Sequence, residues 1–175
     1  MENGLDIKKK SRRITRYFFL HIFSLAFGLV GVAQALPANE PTVLIELFLS
    51  SDRKGEIDRI QTVFSEDSNI RLKTQFYPMG KAPLNIAVGR GVPASVARLA
   101  IQVAKKYNGG VHYVLPDFLY PLNYIAIGAS HFSEENHVRI GPADLEALSD
   151  PAYTTEAWHR LYQTLIERSP RFQKK

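Results

Sequence analysis

His131, Glu134, Glu135 and His137 place two imidazoles and two carboxylates within seven residues. Such donors hold zinc or another divalent ion, and a bound metal can activate water for hydrolysis. The run opens as the zinc-hydrolase pattern H-x-x-E-H does, but Glu135 stands where a second histidine is required. If a metal binds, the expected ligands are His131, Glu135 and His137, joined by His112 or His159 from elsewhere. The plainer expectation is a solvated acidic loop and no cofactor.

Three other patterns carry less. Gly89-x-Gly91-x-x-Ala94 matches the form of a dinucleotide-binding turn, with Asp117 downstream as a ribose-binding acid. Pro93 removes an amide from that turn, so a glycine turn before a helix is expected instead. Ser130 is next to His131, but neighbours on a strand point to opposite faces, and there is no G-x-S-x-G elbow. Glu134-Glu135 and Glu66-Asp67 are adjacent acids, which sequence alone does not place at the separation that sugar cleavage requires.

The stretch from His112 to Tyr124 needs no missing residue. It holds Tyr113, Phe118, Tyr120 and Tyr124, stiffened by Pro116 and Pro121. Aromatic side chains on a rigid loop offer much contact area at small entropic cost. These four are the expected binding residues for an envelope protein, a peptide or a glycan. The competing expectation is a loop folded back to complete the core.

The N-terminus indicates where this chemistry takes place. Lys8, Lys9, Lys10, Arg12, Arg13 and Arg16 lead into the apolar stretch Tyr17 to Val32, which ends at Ala33-Gln34-Ala35. A basic head, an apolar middle and small residues at the end make an export signal. Residues 1–35 are expected to be cleaved after Ala35, giving a periplasmic or secreted protein. The alternative is an uncleaved span that anchors the exported domain in the inner membrane. Of 22 Lys/Arg and 17 Asp/Glu, residues 1–35 take six and two, so 16 and 15 remain, a net +1. That balance offers nucleic acid no electrostatic footprint. The absence of cysteine excludes disulfides, thiolate metal sites and a thiol nucleophile.

The elements that must position these residues follow from periodicity. Residues 36–41 read as a linker, 42–168 as one domain and 169–175 as a basic frayed tail. Strands are expected at 42–49, 71–77, 85–88, 111–115 and 124–129, and helices at about 52–66, from Pro93 at the first helical position to 107, at 142–149, and from a cap at Thr154 or Thr155 to near Arg168. Asn85-Ile-Ala-Val-Gly89 and Tyr124-Ile-Ala-Ile-Gly128 share a pattern that suits two inner strands. The expected fold is α+β, a mostly antiparallel sheet of four or five strands with helices on one face. A small doubly wound parallel sheet is the alternative. The function expected is a non-catalytic binding or accessory module, with a small metal-dependent hydrolase as the alternative.

Overall fold

Val43–Leu49 (β1) alternates buried Val43, Ile45, Leu47 and Leu49 with more accessible Leu44, Glu46 and Phe48. A strand with that pattern has a core face and an open face. The structure, a computed structural model, describes residues 42–77, 80–130, 136, 137 and 139–169. The leader, residues 1–35, and the linker, residues 36–41, lie outside the described residues, as do residues 170–175 of the tail. Ser169, where that tail begins, is buried.

After β1 a 3-10 turn over Ser51–Glu56 runs into helix α1, Ile57–Ser65, which buries Ile60 and Phe64. Strand β2, Ile70–Phe76, and strand β3, Asn85–Val88, follow. Helix α2, Ala94–Tyr107, buries Val96, Ala97, Ala100, Ile101, Val103 and Ala104. Pro93 occupies its N-cap, one position before the helix proper. Gly109 and Gly110 leave the helix with φ of 84° and 120°, values that favour glycine. Strand β4 is Tyr113–Leu115, shorter than expected, and β5 is Tyr124–Ile127. Helix α3, Pro142–Ser149, begins with proline, and Asp144 bonds back to the Gly141 amide. Helix α4, Thr155–Glu167, is capped by the Thr154 hydroxyl.

The α+β expectation holds, but the strand directions differ from it. The sheet order is β2-β1-β5-β3-β4. β1 runs parallel to β2 and to β5, and β3 runs parallel to β4; among these pairs only β3 and β5 are antiparallel. The sheet is therefore mostly parallel, and the mostly antiparallel expectation is wrong. The reason lies in the connections: β1–α1–β2 and β3–α2–β4 each cross over through a helix, and a crossover returns the chain in the same direction. The doubly wound alternative does not describe it either, because β5 opposes β3. The helices also share one core with a single set of strand residues, Val43, Ile45, Leu47, Ile86, Val88, Ile125 and Ile127 among them. The two look-alike strands are neighbours at the centre, with Ala87 opposite Ala126.

Trp158 and Tyr162 anchor α4 on this core with rings stacked at 5.3 Å. The Trp158 indole donates to the Leu148 carbonyl at 2.8 Å, joining α4 to α3. Tyr162 reaches the sheet itself. Its hydroxyl accepts from the Val88 amide at 3.1 Å and lies 3.0 Å from the Ile86 carbonyl and 2.9 Å from the Leu115 carbonyl. Asn85 closes the opposite end, donating to the Ala129 carbonyl at 3.1 Å and accepting from its amide at 2.9 Å. No helix among the described residues is long and apolar enough to cross a membrane.

Candidate functional site

The other face of the sheet is where the chemistry-bearing side chains gather. Strand register places Glu46 beside Lys73 on β2 and beside Ala126 on β5, and puts Leu44 beside Tyr124. A small apolar cluster of Ala87, Leu115, Ala126 and Ala129 is covered by Tyr120 and Tyr124. The cluster draws no residue from the described helices. The two tyrosine rings stack with centroids 5.5 Å apart and planes 10° from parallel.

Glycine admits the loop that carries Tyr120. A Cβ at Gly89 would meet the Pro121 carbonyl oxygen at 2.2 Å and the Leu122 carbonyl oxygen at 2.4 Å. A Cβ at Gly91 would meet Asn123 Oδ1 at 2.2 Å. The Gly89 amide donates to the Tyr124 carbonyl at 2.8 Å, and the Gly91 amide to the Leu122 carbonyl at 2.9 Å. Thus Gly89 makes room for the Pro121–Leu122 backbone and Gly91 for the Asn123 side chain, at the position where a dinucleotide turn would hold pyrophosphate.

Below the loop, Asp117 is buried and ion-paired with Arg90, whose Nε donates to it. Burial pushes the Asp117 carboxyl up, but the hydrogen bonds from Arg90, Gln163 and the Phe118 amide and the Arg90 charge together outweigh it and hold the group below its ordinary range. Asp117 sits in a second 3-10 turn, Asp117–Leu119, which follows Pro116. Phe118, Leu119 and Leu122 point outward, 55%, 54% and 66% exposed.

Glu46 is the hub of the open face. Lys73 Nζ donates to its Oε1 at 2.6 Å, the Gln75 amide donates to the same oxygen, and the Tyr124 hydroxyl donates to Oε2. Burial raises the Glu46 pKa, but the donors from Lys73, Tyr124 and Gln75 outweigh it, and the carboxyl lies below its usual value. Burial and the Glu46 charge push both Tyr120 and Tyr124 up. Near neutral pH this leaves a fixed anion beside two protonated phenols. A general acid or base works best with a pKa near the working pH. Glu46, Tyr120 and Tyr124 are all moved away from neutrality.

The structure divides the expected binding residues. Tyr120 and Tyr124 meet on the open face, Phe118 faces solvent, and Tyr113 is half-buried at the start of β4 beside a bridge to Arg139. Of the expected metal ligands, His131 and Glu135 lie outside the described residues. His137 is described and half-buried. His112 lies 3.3 Å from the Arg139 guanidinium, and His159 Nε2 lies 2.8 Å from the Val92 carbonyl. Among the described residues no three His, Cys, Asp or Glu side chains cluster as a metal site.

Glu46, Lys73 and Gln75 are the functional candidates that sequence reasoning missed. The available signal was Glu46 itself, a lone charge in the apolar strand Val43–Leu49. A charge at such a position requires a partner. Compared with known proteins, the chain matches no family model, no curated protein and no solved structure.

Proposed function

We propose that this protein is a non-catalytic binding module of the cell envelope, exported by residues 1–35, and that its ligand is a glycan seated on the open sheet face. What carries the reading is the Glu46 network lying beside the Tyr120–Tyr124 stack. A sugar ring presents an apolar plane edged with hydroxyls. Tyrosine rings suit the plane, and a carboxylate, an amide and an ammonium suit the hydroxyls. Because Glu46 is held by donors on the same sheet, little side-chain freedom is lost on binding.

The test is titration calorimetry of the full chain with soluble cell-wall glycan fragments. The wild type should bind. Tyr120→Ala and Glu46→Gln should each weaken binding by at least about tenfold, a difference of about 1.4 kcal/mol, while the far-UV spectrum stays unchanged. Equal binding by wild type and both variants, or no binding by the wild type, would overturn the reading. Fractionation with intact mass tests export: a soluble periplasmic species starting at Leu36 indicates cleavage, and a full-length membrane species indicates an anchor.

A further inference from the structure

We propose that Phe118, Leu119 and Leu122 form a membrane-contacting edge that rests on a phospholipid bilayer beside the place where the chain enters the fold. The inference rests on the reading of residues 1–35 as a segment that brings the protein to the membrane.

Three large apolar side chains lie exposed within five residues. Single exposed leucines are ordinary, but a local cluster on a stiff loop marks a contact surface. Their outward direction is built in. Asp117 and Tyr120 on the same loop turn inward, to Arg90 and to the Tyr124 ring. The Leu122 carbonyl accepts from the Gly91 amide, and Pro121 packs its carbonyl against Gly89. With the backbone held in this way, the three apolar side chains are not free to fold under the loop.

Position selects the occupant. The Leu44 amide, one residue into β1, donates to the Asn123 carbonyl at 3.0 Å. The chain upstream therefore joins the fold beside this edge. In sequence only residues 36–42 separate it from the apolar segment ending at Ala35. A protein partner is a poorer fit. A stable protein interface buries about 800 Å² on each side, more than three side chains supply. A surface held close by a tether needs only a weak contact to stay seated.

The chain has no cysteine, so Leu122→Cys gives one labelling position, and Gln102→Cys on the exposed side of α2 gives a control. Each full chain, carrying an environment-sensitive fluorophore, is reconstituted in vesicles of phosphatidylethanolamine and phosphatidylglycerol containing headgroup-depth nitroxide lipid. Most of the fluorescence should be lost at position 122 and almost none at 102. Adding Phe118→Asp and Leu119→Asp should restore the signal at 122 without changing the far-UV spectrum. A membrane-bound chain with both labels equally unquenched would overturn the inference and leave the anchor reading standing. If cells yield a soluble chain starting at Leu36, the anchor reading fails instead. The same labelled protein is then mixed with the vesicles: selective quenching at 122 supports the edge, and its absence overturns it.

Discussion

A methyl group on Gly89 would lie 2.2 Å from the carbonyl oxygen of Pro121, well inside contact distance. That oxygen and the Leu122 carbonyl oxygen, 2.4 Å away, both belong to backbone, so no side-chain rotation relieves the clash. Gly89→Ala should therefore cost about 2–3 kcal/mol through overpacking and lower the melting temperature by several degrees. It should also displace Tyr120 from Tyr124. Gly55→Ala is the control, since a Cβ there meets nothing within 4 Å. Thermal melts of the two variants side by side check the prediction, and equal melting would show that the loop can move away from Gly89.

Tyr162 joins α4 to the backbone of two strands through one hydroxyl. Tyr162→Phe keeps the ring stacked on Trp158 and removes only that oxygen. The buried Val88 amide then loses its acceptor, at a cost of about 1–3 kcal/mol. Burial is the main reason the phenol is pushed up and stays protonated. A lower denaturant midpoint with an unchanged slope is the expected result. An unchanged midpoint would mean that the β3–β4 edge satisfies itself.

Glu46 predicts a pH dependence of stability. Its carboxyl lies below the ordinary value of 4.5 in the folded chain, so the unfolded chain binds the proton more readily. Its stabilising contribution is then complete above the unfolded value and lost as pH falls through the folded one. Acid titration of wild type and Glu46→Gln should show the wild-type advantage at pH 7 shrinking below about pH 4.5. An advantage that stays constant down to strong acid would show that the Lys73, Gln75 and Tyr124 bonds do not depend on the charge.

Periodicity reports which face a side chain takes, and it does so well here. The alternation over Val43–Leu49 and the stripes of α2 and α4 correspond to the observed burial. Pairing direction is a different matter. Asn85–Val88 is buried throughout, and so is β5 after Tyr124. A run without alternation looks the same whichever way its neighbour runs. Only the connections specify direction, and the helices after β1 and β3 make them crossovers. The site is less legible for a related reason. Glu46 is conspicuous as a charge in an apolar strand, but its partners Lys73 and Tyr124 are 27 and 78 residues away in sequence. The loop between Pro116 and Asn123 is too irregular to have a period. Nothing in its order of residues separates the inward Tyr120 from the outward Phe118, Leu119 and Leu122.

The Arg90–Asp117 pair is lopsided, and that lopsidedness can be measured. The Asp117 side chain is 1% exposed, whereas that of Arg90 is 65% exposed. Asp117→Asn leaves a guanidinium that water can solvate, so its cost should be about 1 kcal/mol or less. Arg90→Met leaves a carboxylate without its partner in a buried site. Removing one partner of a buried pair costs about 3–5 kcal/mol, and the exposure of Arg90 brings the expectation to about 2–3. The pH dependence gives a second readout. Without Arg90, only Gln163 and the Phe118 amide still oppose burial at Asp117, so its folded value rises relative to that in the wild type. A carboxyl with a depressed folded value contributes stability above its unfolded value and loses it as pH falls through the folded one, so the share that Arg90 supplies is present at neutral pH and absent once Asp117 is protonated. The penalty of Arg90→Met should therefore be largest at neutral pH and shrink as acid protonates Asp117, below its ordinary value of 3.8. Denaturant melts of both variants at neutral and acidic pH test this. Equal penalties for the two substitutions, unchanged by acid, would mean that the carboxylate is solvated and that the ion pair does not hold the loop.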